Sequence, residues 1–172
     1  MFRPALTEVV RSQHGVLTRR QAHAGGLSDE AVAANLRARR WRTVFRGVYA
    51  TFNGPIPRES LLWAAVLRAG PDAVLSHETA AELLGLSPAG DGRIHSSVPT
   101  RRTPDPIPGV VIHRSKRAVQ SRHPTRTPPQ TRVEETVVDL TQAARTIEEA
   151  LGWLVRAVGA RLTTAARLSA AL

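Results

Sequence analysis

The sequence predicts an α+β protein: three short helices and a β-hairpin at the N-terminus, then a second small domain of helices around a short sheet. Three observations carry that prediction. Apolar residues recur at helical spacing in short segments divided by glycines and cap residues. Residues 41–51, WRTVFRGVYAT, alternate instead. A strongly β-branched run, GVVIH, follows a second strand-like segment, RIHSSV.

The bulk composition fits this class. A chain of 172 residues suits one ordinary domain or two small ones, and 42% apolar with 22% charged residues makes it globular. No run of ~18 apolar residues is long enough to span a membrane. The opening MFRPALTEVVRS lacks the apolar stretch of a signal peptide. Zero cysteines remove disulfides, thiolate metal sites and cysteine nucleophiles together. The cytoplasm is the expected compartment.

Element by element, Pro4–His14 reads as a first helix, with Leu6, Val9 and Val10 on one side and Gly15 to close it. Thr18 caps a short second helix, Arg19–Ala24, and Gly25-Gly26 supplies a tight corner. Ser28 caps a third, Asp29–Arg40, whose acids at the start and arginines at the end suit the helix dipole. In the hairpin that follows, Trp41, Phe45 and Tyr49 fall on one side and Arg42, Val44, Arg46 and Val48 on the other, with Arg46-Gly47 at the turn. The aromatic side faces inward, pinning the hairpin to the helices. Helix, helix, helix, hairpin is the order of a winged helix-turn-helix over residues 1–52, whose third helix enters a major groove.

NGPIP, residues 53–57, reads as a linker, and residues 57–172 as the second, small mixed α/β domain. There SLLWAAVLRAG is a buried helix, PDA a turn, and Ser76 caps HETAAELLGL, a helix closed by Gly85. The strands RIHSSV and GVVIH flank a Pro- and Arg-rich connection. RSKRAVQSRHPTRTPPQ reads as an irregular, solvated loop, and RVEETVVDLTQAA and TIEEALGWLVRAV as amphipathic helices, with a short one after them.

The net charge of +10 is unevenly placed, and charge speaks of partners rather than fold. Residues 1–54 hold 9 arginines against 3 acids, and residues 91–132 hold 9 Arg or Lys against 2. The intervening 55–90 and the final 133–172 are slightly acidic. Two basic faces follow from that pattern.

In order along the chain, LTRRQAHAGGLS, LRARRWRTVFRGVYAT, SHETAAELLGL, GVVIHRS and TRVEETVVDL resemble AbiEi-type antitoxins of abortive-infection (type IV) toxin–antitoxin systems, from about Leu17 onward. The most specific part is R-G-V-Y-A followed by S-H-E-T-A-A-x-L-x-G-L. The resemblance implies an N-terminal winged helix that binds its own promoter and represses its operon, and a following antitoxin domain. It implies a nucleotidyltransferase-like toxin, countered without a stable complex. Longer relatives carry a C-terminal endonuclease-like domain where this chain reads LTTAARLSAAL, so either a compact stand-alone form or a truncated one is expected.

The candidate DNA-binding residues follow. Ala33 and Ala34 on the third helix allow close backbone approach, Arg37 and Arg40 reach bases or phosphates, and Arg39 flanks them. Arg19 and Arg20, cations at the positive end of the second helix, suit a phosphate clamp. Arg42 and Arg46 lie on the wing, where solvating charge is the equal alternative. Arg101, Arg102, Arg114, Lys116, Arg117, Arg122 and Arg126 form a second basic surface, read as a solvated loop or a nucleic-acid or partner contact. One module reads DNA weakly, so two copies on inverted repeats, a monomer or weak dimer on double-stranded DNA, are expected.

No enzyme is expected, and no metal or cofactor. His77-Glu78 begins like H-E-x-x-H, but Ala81 stands where the second histidine belongs. His95 and His113 can face each other across paired strands, as satisfied sheet histidines. The competing functional reading is a non-DNA interaction module, or a remnant of a nuclease-bearing relative, acting through its C-terminal domain on protein or RNA.

Overall fold

The computed structural model describes residues 4–88 and 92–171, and the chain divides into two compact units between Pro71 and Asp72. The first unit runs α1 (Pro4–Ser12), β1 (Val16–Thr18), α2 (Arg19–Ala24), α3 (Asp29–Arg37), β2 (Arg42–Phe45), β3 (Val48–Ala50) and α4 (Arg58–Ala69).

Local hydrogen bonds start these helices. Thr18 and Gln21 form a capping box: Gln21 N–H donates to Thr18 Oγ1 at 3.1 Å, and Thr18 N–H to Gln21 Oε1 at 2.8 Å. Ser28 Oγ accepts from Ala31 N–H at 3.1 Å. The same device closes α1, α2 and α3. A residue with positive φ is followed by a backbone N–H that reaches back five residues: Gly15 to Val10, Leu27 to Ala22, Arg40 to Asn35. At α2 the left-handed residue is Gly26; at α1 and α3 it is His14 and Arg39.

That closure shortens α3. The helix expected to reach Arg40 ends at Arg37, because Arg39 (φ 52°) turns the chain so that Arg40 N–H and Trp41 N–H both donate to the Asn35 carbonyl. Arg39 and Arg40 therefore lie in the turn beyond the helix.

The strands form an antiparallel sheet in the order β1-β3-β2, with Leu17 opposite Tyr49. Leu17 joins Leu6, Ala22, Val32 and Trp41 in a core against which Val10, Leu27, Leu36 and Tyr49 pack. Gly25 has an ordinary φ of −77°; its requirement is space, since a Cβ there would lie 2.6 Å from the Leu6 side chain.

The hairpin departs from simple alternation. A bulge between Thr43 and Phe45 pairs Phe45 with Val48 and Thr43 with Tyr49. Val16, Val48 and Ala50 are buried, on strand positions alternating with Leu17 and Tyr49. α4 lies against all three strands, so both faces of the sheet are covered. The sequence assigns α4 to the second domain; in the structure it packs with the first unit, with Ser60 Oγ donating to the His14 carbonyl at 2.6 Å.

The second unit runs β4 (Val74–Leu75), α5 (His77–Leu83), β5 (Ile94–Pro99), β6 (Val110–Ser115), α6 (Val133–Ala143), α7 (Ile147–Gly159) and α8 (Ala165–Ala171). β5 is central, antiparallel to β4 and parallel to β6. Two-residue β4 has no readable periodicity and was not expected. Ala81, Leu84, Leu86, Val137, Leu140, Ala157 and Leu168 form the core between the helices. Residues 114–130 are more ordered than a solvated loop. Arg114 and Ser115 belong to β6, and Pro128–Gln130 are buried beside β4, where Leu75 N–H donates to the Pro129 carbonyl at 2.8 Å. Among the described residues, no helix is long and apolar enough to cross a membrane.

Candidate nucleic-acid interface

α3 turns Val32 into the core and leaves Ala33 and Ala34 half-buried. Glu30 at its start and Arg37, Ala38, Arg39 and Arg40 at its end are exposed. Three arginines thus stand together in sequence on a short, rigidly closed corner. Arg40 is braced: its Nε donates to Asn35 Oδ1 at 2.9 Å. Arg39 occupies a backbone position that glycine fills without steric strain and other residues fill at a strain of ~1 kcal/mol or more.

Arg19 is not the open phosphate clamp that its place in α2 suggested. Its Nε donates to Asp29 Oδ1 at 2.7 Å, and its Nη2 donates to the other oxygen. His23 Nε2 lies 2.6 Å from Asp29 Oδ1. Hydrogen bonding to Arg19 holds the Asp29 carboxyl down to about 2, and the pairing raises Arg19. The Arg19–Asp29–His23 cluster ties α2 to the first turn of α3. Arg20, beside it, is exposed.

On the hairpin, Arg46 is exposed at the turn beside Gly47 (φ 75°). Arg42 instead donates through Nη1 to the Gly54 carbonyl at 2.9 Å, clipping β2 to the segment before α4.

The second basic surface is partly spent on internal contacts. Arg101 pairs with Asp72 at 2.6 Å, Arg114 donates to the Thr100 carbonyl, and Arg117 pairs with Glu135 at 2.6 Å and donates to the Ala171 carbonyl at 3.1 Å. Arg102 is half-buried; Lys116, Arg122 and Arg126 are exposed.

The second unit also gathers histidines. His95 and His113 do meet across β5 and β6, Nδ1 to Nε2 at 3.0 Å, and Glu78 Oε2 is 3.0 Å from the same His95 nitrogen. Sequence reasoning missed the third member. His77, at the start of α5, stacks on His113 with ring centroids 3.6 Å apart and planes 12° from parallel. Burial first, then His113 and His95, push His77 down to about 3. Asp139 of α6 lies 3.9 Å from His77 Nδ1, and burial and Glu135 raise its carboxyl to about 6. With His77 neutral, that contact is not an ion pair. Among the described residues, no group of three or more histidine, cysteine or acidic side chains is placed to hold a metal ion.

No protein-family model and no curated protein matches the chain.

Proposed function

We propose that the protein is a DNA-binding repressor of its own promoter and the antitoxin of a type IV toxin–antitoxin pair. The observation that carries the DNA half is the exposed Arg37, Arg39 and Arg40 at the closed end of α3. Arginine in a glycine-favouring turn runs against local preference, and such misfits concentrate where a side chain has a task. The order α1-β1-α2-α3-β2-β3 fits a winged helix, in which α3 enters a major groove and the Arg46 turn follows the backbone. Arg37 and Arg40 read bases or phosphates, Arg20 and Arg39 hold phosphates, and Arg19 keeps α3 in position. The antitoxin half rests on the resemblance of SHETAAELLGL, GVVIHRS and TRVEETVVDL to AbiEi-type proteins. A nucleotidyltransferase-like gene adjoining this one would support it.

The test is fluorescence anisotropy of the purified protein on its own upstream duplex and on an unrelated one, with salt varied. The expected outcome is a preference for the upstream duplex and a steep loss of affinity with salt. Arg37→Ala and Arg40→Ala should each weaken binding, by ~1–3 kcal/mol where a base contact is lost. Equal, weak binding to both duplexes, unchanged in those variants, overturns the reading. It would favour the second unit, with exposed Lys116, Arg122 and Arg126, as a contact for protein or RNA.

A further inference from the structure

We propose that α7 is a self-association surface, on which a second copy of this chain docks antiparallel about a two-fold axis near Gly152. Among the described residues, four of the five large apolar side chains left exposed lie on this one helix: Ile147 at 75%, Leu151 at 53%, Val155 at 68% and Val158 at 40%. Their spacing of four, four and three residues makes a single stripe. Trp153, Leu154 and Ala157 of the same helix pack into the core of the second unit, so the stripe is additional to the face that folding uses. It continues into an apolar groove of about 590 Å³ between α7 and α8, lined by Leu154, Val155, Val158, Ala165 and Leu168.

The neighbouring ridge identifies the occupant. Glu148, Gly152 and Arg156 follow at intervals of four beside Ile147, Leu151 and Val155. The ridge is acidic at one end, bare in the middle and basic at the other. Reversal about Gly152 places Glu148 of one copy against Arg156 of the other, twice per dimer. This is the mutual pairing that a two-fold interface requires. A Cβ built on Gly152 meets only the Arg156 guanidinium, at 3.9 Å, which lies over the Trp153 ring at 4.1 Å. Turning that flexible side chain outward to Glu148 of a second copy uncovers Gly152 for close approach. A lipid surface would favour cations along the stripe rather than Glu148, and an unrelated partner gives no reason for the ridge to complement itself.

Thirteen residues span ~20 Å, so one helix and the α8 rim bury less than the ~800 Å² per partner of a standard stable interface. The dimer is therefore weak and concentration-dependent. It does not rest on the DNA reading, and its test contains no DNA.

Sedimentation velocity on the full-length protein reads it directly. The weight-average mass should climb from 18.7 kDa towards twice that value as concentration rises into the tenths of millimolar. Leu151→Lys, an exposed position, should remain at 18.7 kDa throughout while keeping its far-ultraviolet circular dichroism. Glu148→Arg should weaken association about tenfold, since both symmetric pairs become repulsive, and Glu148→Arg with Arg156→Glu should restore it. A wild-type mass that stays monomeric at the highest concentration, or a Leu151→Lys protein that associates like wild type, overturns the surface. Failure of the double exchange to recover overturns the antiparallel two-fold arrangement.

Discussion

Arg39 carries two demands that pull apart. Its backbone closes α3 in the left-handed region, where a Cβ is unwelcome, and its guanidinium stands exposed beside Arg37 and Arg40. Arg39→Gly should therefore raise the thermal midpoint by a few degrees, a gain of about 0.5–1 kcal/mol once the greater freedom of glycine in the unfolded chain is set against the relieved strain. The same variant should bind the upstream duplex less well. A residue with a structural role alone would move only the first measurement. Residue-scale features were the most legible ones in the sequence. Thr18, Ser28, Gly26 and Gly85 act through hydrogen bonds to backbone within a few positions, and their chemistry is local. The Arg19–Asp29 pair was hidden, because it joins residues ten apart on two helices whose packing depends on Leu6 fitting over Gly25.

At the scale of elements, α5, β5, β6 and α6 converge on the histidine stack and Asp139. Strand pairing made His95 and His113 legible as neighbours, whereas His77 joins them only once α5 is laid over the sheet. The stack gives this packing a pH signature. Unfolded, His77 takes a proton near 6.5; folded, it takes one only near 3, and His113 is lowered in the same direction. The unfolded chain thus binds more protons below pH 6.5, and these two groups cost stability as the pH falls from there. Asp139 acts oppositely: it holds its proton to about 6 when folded but only to 3.8 when unfolded, so its contribution is lost as the pH rises through 6. Two histidines outweigh one carboxyl, and urea midpoints should fall on acidification below pH 6.5. Glu78, Glu135 and Arg117 also face this cluster. Asp139→Asn removes the opposing group. Its urea midpoint should match wild type near pH 4 and exceed it above pH 6, by on the order of 1 kcal/mol after solvent screening of a partly exposed carboxyl. A variant less stable than wild type at pH 8 would mean the carboxylate is held by contacts that outweigh its burial.

At the scale of the whole molecule, the alternation along the sequence marked the α+β class and two basic blocks, but not how those blocks are used. Arg101, Arg114 and Arg117 are charges in the composition and internal ties in the fold. The domain boundary was equally hidden. NGPIP looks like a linker, yet α4 beyond it covers the back of the first sheet, because Val16, Val48 and Ala50 need an apolar partner and Leu62, Ala64, Ala65 and Val66 supply an apolar helix. A fragment of residues 1–71 should fold alone and melt cooperatively by circular dichroism. A fragment ending at residue 52 should not, since it exposes those three residues; a cooperative melt from it would mean that α4 is dispensable.

The end of α4 sets where such a unit can be exchanged between genes. Gly70 leaves the helix at φ 100° and ψ −170°, a conformation essentially reserved to glycine, and Asp72 follows at φ 65°. A crossover just after the hairpin would transplant a sheet with its back bare, and the recipient would inherit an aggregating product. A crossover after residue 71 carries the covering helix and its glycine stop together. Of those two breakpoints, only the second keeps both faces of the sheet covered, and a residue other than glycine at position 70 would place backbone strain at that junction.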